Sequence, residues 1–145
     1  MKSTEIANDA GVETRIVILE TGEEAFAILT KFANEAGITA ASLTAIGAFA
    51  RATVGWFDLK RRAYRPIAID EQCEALSLIG DIAAADDGMP TVHAHAVLGL
   101  SDGTTRGGHF LKGIVRPTLE VTVVETPTHL RRRKQPNLGI ALIEP

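Results

Sequence analysis

Apolar and polar positions along the chain change period twice. Residues 13–20 tighten into the apolar run Ile16-Val17-Ile18-Leu19 between charged neighbours, the pattern of a strand. Ala25, Ile28, Leu29, Phe32, Ala33 and Ala36 then recur at helical spacing, which predicts one amphipathic helix over about 22–36. Thr21 followed by Glu24 has capping-box spacing, with Thr21 as the N-cap, and Gly37 is a natural C′ stop. From Ile38 onward the pattern is that of successive strands over 40–49, 52–57, 64–70, 74–83, 92–98, 105–115 and 119–125. The separators at 58–60, 86–90 and 101–103 are short and polar, and short links favour antiparallel pairing because parallel strands need long crossovers. The expected fold class is therefore α+β, a central, mostly antiparallel sheet with one principal helix covering it.

Beyond residue 127 the character changes. His129-Leu130-Arg131-Arg132-Arg133-Lys134-Gln135-Pro136 is too basic for a core and reads as a surface loop, and the apolar stretch 138–143 follows as a last, edge strand. With 145 residues and no internal repeat or low-complexity stretch, a single domain over 1–145 is expected, large enough to bury its own core. No stretch has the length of a membrane span, and Met1-Lys2-Ser3-Thr4-Glu5 lacks the apolar run of a signal peptide. A cytoplasmic protein with no membrane partner is the expectation. The lone Cys73 excludes an internal disulfide and a cysteine-based zinc set, and in its apolar context reads as a small buried residue. The formal net charge of −3 hides an asymmetry: the run at 131–134 carries +4 and leaves −7 on the rest. An acidic body is a poor non-specific binder of nucleic acid.

The chemistry is concentrated in three of the four histidines. His93 and His95 are two apart on an expected strand, hence on one face and roughly 6.6 Å apart along it, and His109 lies on the next strand. The hairpin loop decides whether they meet. A three-residue loop Ser101-Asp102-Gly103, with Gly103 left-handed, pairs Leu100 with Thr104 and sets His95 opposite His109, with His93 as diagonal neighbour. A two-residue Asp102-Gly103 loop pairs Ser101 with Thr104, puts Ala96 opposite His109 and turns that ring away, unless a bulge at Gly107-Gly108 restores the match. Three converging neutral imidazoles would form an open metal site, with a fourth position for water or a substrate oxygen. The competing reading is three unrelated half-exposed residues making ordinary hydrogen bonds. Val92, Ala94, Ala96 and Leu98 form the opposite, apolar face and should be the buried one, leaving the imidazoles toward a cleft or a subunit boundary. His129 falls outside the group as a surface residue.

Several further stretches follow in order: Thr44-Ala45-Ile46-Gly47-Ala48-Phe49, Val54-Gly55-Trp56-Phe57-Asp58, Glu74-Ala75-Leu76-Ser77-Leu78-Ile79-Gly80-Asp81-Ile82, His93-Ala94-His95-Ala96-Val97-Leu98-Gly99, Gly107-Gly108-His109-Phe110-Leu111 and Pro117-Thr118-Leu119-Glu120-Val121. In this order and spacing they resemble the PPC (plant and prokaryote conserved) domain family across about residues 13–126. The resemblance implies a homotrimer in which His93, His95 and His109 bind a divalent metal, with zinc expected; a small-molecule ligand at the metal's open position is a separate expectation from the three-imidazole donor set. The family's plant branch acts in transcription through AT-hooks and a Gly-Arg-Phe-Glu-Ile-Leu segment, and neither is intact here. The corresponding segment is Glu71-Gln72-Cys73-Glu74-Ala75-Leu76, and the run at 131–134 lacks the glycine an AT-hook needs.

Two functions compete on this basis. One is a trimeric metal-binding protein, either a hydrolase-like enzyme or a small-ligand sensor; an enzyme would need a general base, for which Glu74 and Glu120 come first and Asp81 and Arg106 after them. The other is a DNA-binding regulator whose subunits combine their 131–134 runs into a basic rim.

Overall fold

The computed structural model describes residues 1–126 and 129–144; Pro127, Thr128 and Pro145, which belong to the expected C-terminal segment, lie outside them. Strands β1 (Lys2–Asp9) and β2 (Val12–Glu20) lead into the helix α1 (Ala25–Ala36). There follow β3 (Ala40–Asp58), β4 (Ala63–Ile69), β5 (Cys73–Ala84), β6 (Pro90–Gly99), β7 (Thr105–Glu125), β8 (Arg131–Gln135) and β9 (Ile140–Glu144). The strands form one sheet in the order β1-β2-β7-β3-β5-β8-β9, with β4 on β3 and β6 bridging β5 and β7. Among the described residues all pairings are antiparallel except one: β5 and β8 run parallel, Ala84 beside Arg131, so the sheet is mixed rather than purely antiparallel.

The helix starts three residues later than the capping-box spacing predicts. Thr21 does not cap it: its hydroxyl donates to the Pro117 carbonyl at 2.9 Å, which ties the turn to β7. Glu24 is the N-cap, its carboxylate accepting from the Phe26 and Ala27 amides at 3.2 and 2.8 Å and also from the Gly113 amide of β7 at 3.0 Å. One acidic side chain thus satisfies orphan helix donors and docks the helix at once. Gly37 ends the helix as expected, in the left-handed conformation at φ 67°. Ala25, Leu29, Phe32 and Ala33 are buried against the sheet face that carries Val92, Ala94, Ala96 and Leu98.

Two long strands replace four expected short ones. β3 is continuous through Ala50-Arg51, and successive register shifts bend it so that its first half pairs with β5 and its second with β4. β7 is continuous through Pro117, which falls in the unpaired gap between Val115, opposite Phe49, and Leu119, opposite Gly47. A proline is tolerated there because no ladder bond needs its missing N–H. Gly47 makes the bulge possible: at φ 148° a Cβ would sit 2.3 Å from the Thr118 carbonyl oxygen. With β3, β5, β6 and β7 joined in a closed circuit of pairings, Phe49 and Phe110 stack in the interior at 5.5 Å. Cys73 is buried there as well, and burial pushes its thiol pKa up.

The basic run is the main departure from expectation. Residues 131–134 form β8, hydrogen-bonded to β9 as a C-terminal hairpin, rather than a surface loop. The reason lies in one side chain: Arg132 is buried, 7 % exposed, because the carboxylate of Asp81 on β5 receives it. Arg131, Arg133 and Lys134 do face solvent.

Gly80 is where β5 and β6 come closest, since a Cβ there would lie 2.1 Å from the His93 carbonyl oxygen and 2.8 Å from the Ala94 Cα. Gly80→Ala should therefore destabilise by overpacking, on the order of 1–3 kcal/mol. Gly103→Ala, strained at φ 82° but in open space, should cost about 1–2 kcal/mol and leave the urea m-value unchanged. Denaturant titration of the two variants measures both.

Candidate metal centre

The turn after β6 settles the register. The Leu100 amide donates to Thr104 oxygen at 2.9 Å and the Gly103 amide to Leu100 oxygen at 3.0 Å, closing a three-residue loop over Ser101, Asp102 and left-handed Gly103. Asp102 holds it by accepting from the Thr104 amide and hydroxyl at 2.9 and 2.7 Å. His95 consequently stands opposite His109, and the two-residue alternative does not occur. Gly107-Gly108 let β7 slip in between its neighbours, since a Cβ on Gly108 would meet the Gly55 carbonyl oxygen at 2.6 Å.

The three rings meet on the sheet face opposite the helix. Their centroids lie 5.2 Å (His93 to His95), 4.9 Å (His93 to His109) and 5.4 Å (His95 to His109) apart, and one nitrogen from each falls within 4.8 Å of the others. Ligands of a tetrahedral zinc at 2.0–2.1 Å are about 3.4 Å from one another, so modest side-chain rotation closes the set. His109 is the most enclosed in character: it is central in the sheet, flanked by His95 on β6 and Gly55 on β3. The Tyr64 ring from β4 passes over the side-chain-free Gly55 and stacks on His109 at 4.5 Å and 23°.

Electrostatics favours the form a metal needs. Burial, then the neighbouring His93, His95 and Arg132, lowers His109 from 6.5 to about 4, and burial and His93 lower His95. Both are neutral at pH 7 and offer lone pairs. The His109 Nδ1 is buried and has no hydrogen-bond partner among the described residues, a state that buried polar atoms rarely occupy without an unseen ligand or water. An orphaned nitrogen in a set of three converging imidazoles, two of them held neutral by burial, fits a resident divalent metal.

Around the rings the other candidates separate. Asp81, opposite His93 on β5, reaches the cluster: its Oδ2 is 3.6 Å from His93 Nδ1, and both its oxygens accept from Arg132 Nη2 at 2.8 and 2.7 Å. Burial would raise its pKa, but the neighbouring His93 ring and Arg132 guanidinium hold the carboxyl below the usual range. Arg132 Nη2 also lies 3.0 Å from His93 Nδ1, while Nη1 donates to the Ala141 carbonyl of β9 at 3.2 Å. Glu74, Glu120 and Arg106 are exposed and stand opposite Gly99, Ile46 and Leu98 respectively, with none of them joining the imidazole group. His129 is exposed and bonded to Thr39 at 2.7 Å. Tyr64 and Arg132 are the site residues that sequence reasoning missed. The Gly55 beside a hairpin aromatic was a faint signal for the first, and the tetrabasic run concealed the second.

A mixed sheet of long bent strands, one covering helix and three imidazoles at a hairpin define a small α+β domain with a histidine cluster that could hold a metal ion. The chain belongs to the Plants and Prokaryotes Conserved (PCC) domain family, whose model matches residues 7–127. Among solved structures, it is similar to a plant- and prokaryote-conserved (PPC) protein of Pyrococcus horikoshii, at 28% identity and TM-score 0.84 over 99% of this chain and 95% of that one. It is similar also to a metal-containing protein of Archaeoglobus fulgidus (30%, 0.82, 91% and 93%). A third, named "putative DNA binding protein", comes from Bacteroides thetaiotaomicron (27%, 0.87, 98% and 96%). No curated protein matches the chain. No helix among the described residues is long and apolar enough to cross a membrane.

The lowered histidines set a pH window. A group whose pKa falls on folding stabilises the native state above its unfolded value and loses that contribution as pH falls toward its folded one. Metal-free protein should thus lose stability as pH drops from about 6.5 toward 4, and His109→Gln should flatten that slope. Melting temperature against pH for the two proteins is the measurement, with parallel curves counting against the neutral-imidazole reading.

Proposed function

We propose that the chain is a metal-binding protein in which His93, His95 and His109 hold one divalent ion, zinc, and leave a position open to a small ligand. The convergence of three rings on one face, two of them kept neutral by burial, is the observation that carries this reading. Imidazole donors suit zinc, and a relative of similar fold is described as metal-containing. A zinc ion so bound acts as a Lewis acid toward the oxygen of a ligand. The carboxylate that reaches the rings, Asp81, is engaged by Arg132, which supports ligand binding over hydrolysis driven by a free carboxylate base.

Assembly as a homotrimer belongs to the same proposal. Ile46, Leu76 and Ile79 are more than half exposed on the helix-free face, and Ile79 stands opposite His95. An apolar patch continuous with the histidines is a surface for a second copy to cover.

Elemental analysis of untagged protein purified without chelators, beside His93→Ala/His95→Ala, tests the centre. About one zinc per chain, lost in the variant, is expected; metal-free wild-type protein that also takes up no zinc on addition would overturn the reading.

One observation favours a second reading, nucleic-acid binding. Arg62 reaches the Pro136 carbonyl at 3.5 Å, which brings the exposed run Lys60-Arg61-Arg62 beside the hairpin bearing Arg131, Arg133 and Lys134. Against it, Arg133 pairs with Glu144 at 2.6 Å, and Asp86 and Asp87 line the same cavity as Arg131 and Arg133. Retention on duplex DNA should then fall with salt, and each phosphate contact removed by Arg131→Ala or Lys134→Ala should reduce the log–log salt slope by about 0.9. Passage through a DNA column at low salt without delay would exclude this surface.

A further inference from the structure

We infer that Asp81 and Arg132 are a positioning pair for the metal centre, and that they select which nitrogen of His93 carries its proton. The inference rests on the metal reading above and concerns two residues from outside the imidazole set. His93 Nδ1 faces both members of the pair, at 3.0 Å from Arg132 Nη2 and 3.6 Å from Asp81 Oδ2. The two contacts make opposite demands. A guanidinium only donates, so Arg132 requires a lone pair on Nδ1, whereas a carboxylate only accepts and requires a proton there. The shorter contact is with Arg132, whose Nη2 has two N–H groups: one shared between the two Asp81 oxygens leaves the other for Nδ1, while Asp81 at 3.6 Å is beyond hydrogen-bond length of that nitrogen. In the metal-free arrangement the His93 proton therefore sits on Nε2.

With Nδ1 committed to the pair, Nε2 is the nitrogen His93 offers to a metal, and it can do so only as a lone pair. The proton must leave Nε2 to water while another arrives on Nδ1 from water, so the ring is neutral before and after and no net proton is released. Nδ1–H can no longer accept from Arg132 Nη2, and its acceptor is Asp81 Oδ2, which closes from 3.6 Å to hydrogen-bond length as the guanidinium N–H turns away. Metal-ligating histidines commonly donate their second N–H to a carboxylate, which fixes the ring and raises its basicity. Arg132 keeps that carboxylate charged and in place through its own bonds at 2.7 and 2.8 Å, and is itself anchored through Nη1 to Ala141. The centre is accordingly assembled from β5, β6, β7 and the C-terminal hairpin, and the one buried cation of the basic run serves the histidines rather than a polyanion.

Two readouts test this. Long-range proton–nitrogen spectra of uniformly nitrogen-15-labelled wild-type protein report the His93 tautomer directly. The expected result is protonated Nε2 without metal and protonated Nδ1 after one equivalent of zinc. Chelator competition then gives zinc affinity for wild type, Asp81→Asn, Arg132→Met and the double variant. A loss of about 10–100-fold is expected in each single variant, with the double no worse than the poorer single, as for groups acting as one unit. Zinc bound by wild type with His93 Nδ1 unprotonated, or with affinity unchanged in both single variants, would overturn the inference and leave the metal centre standing. Failure of wild type to bind zinc would overturn both. Should a variant unfold, the wild-type tautomer decides the matter alone.

Discussion

The pairing of β6 with β7 is the constraint on which the rest of the site depends. Side chains alternate faces along a strand, so a slip of one residue would send His109 toward the interior and bring Phe110 out. Phe110 is fully buried and stacked on Phe49, so a slip would expose a large apolar ring and bury an imidazole in its place. The core and the hairpin turn thus enforce the same register from opposite ends of the strand. Asp102 and Gly103 set it locally through the loop bonds to Thr104 and Leu100, and Phe110, Leu98 and Ala96 set it through burial. Agreement between local turn chemistry and global packing is what gives a sequence one well-defined structure.

That register also explains the electrostatic character of the site. His109 occupies a strand paired on both sides, and Tyr64 covers its ring. A charged imidazole there would lack water and face two further imidazoles and a guanidinium, so the neutral form wins. The position that makes His109 a poor base in the free protein makes it a ready donor of a lone pair. Gly55 and Gly108 are the structural condition for it: one leaves space for the tyrosine ring, which a side chain there would displace, and the other lets two backbones approach, where a side chain would push β3 and β7 apart.

Much of this was legible in the sequence wherever the determining information was local. The helix body, the Gly37 stop, the apolar face of β6 and the three-residue loop each follow from spacing or turn chemistry within a few residues. The misreadings share a cause, which is that a distant partner decided the outcome. Thr21 has the spacing of a cap but is taken by Pro117, ninety-six positions away, and Glu24 serves β7 as well as the helix. Pro117 and Ala50-Arg51 look like strand breaks because propensity cannot show that each strand bulges there against its neighbour and then resumes its pairing.

Arg132 is the sharpest case of the same limit. Four consecutive cations carry no internal mark of which one is buried, and like-charged runs are usually solvated. In a strand, however, alternate residues face alternate sides, and β8 turns Arg132 inward while Arg131 and Arg133 face out. Burying a guanidinium is costly unless a charge and further hydrogen bonds meet it. Asp81 and the Ala141 carbonyl do so here, although Arg132 Nε remains without a partner among the described residues. An apolar residue would fill that position with less desolvation cost, so stability alone does not account for an ion pair there. Its placement against His93 supplies the account: the pair holds a charged carboxylate beside a ring nitrogen, something no apolar substitute could do.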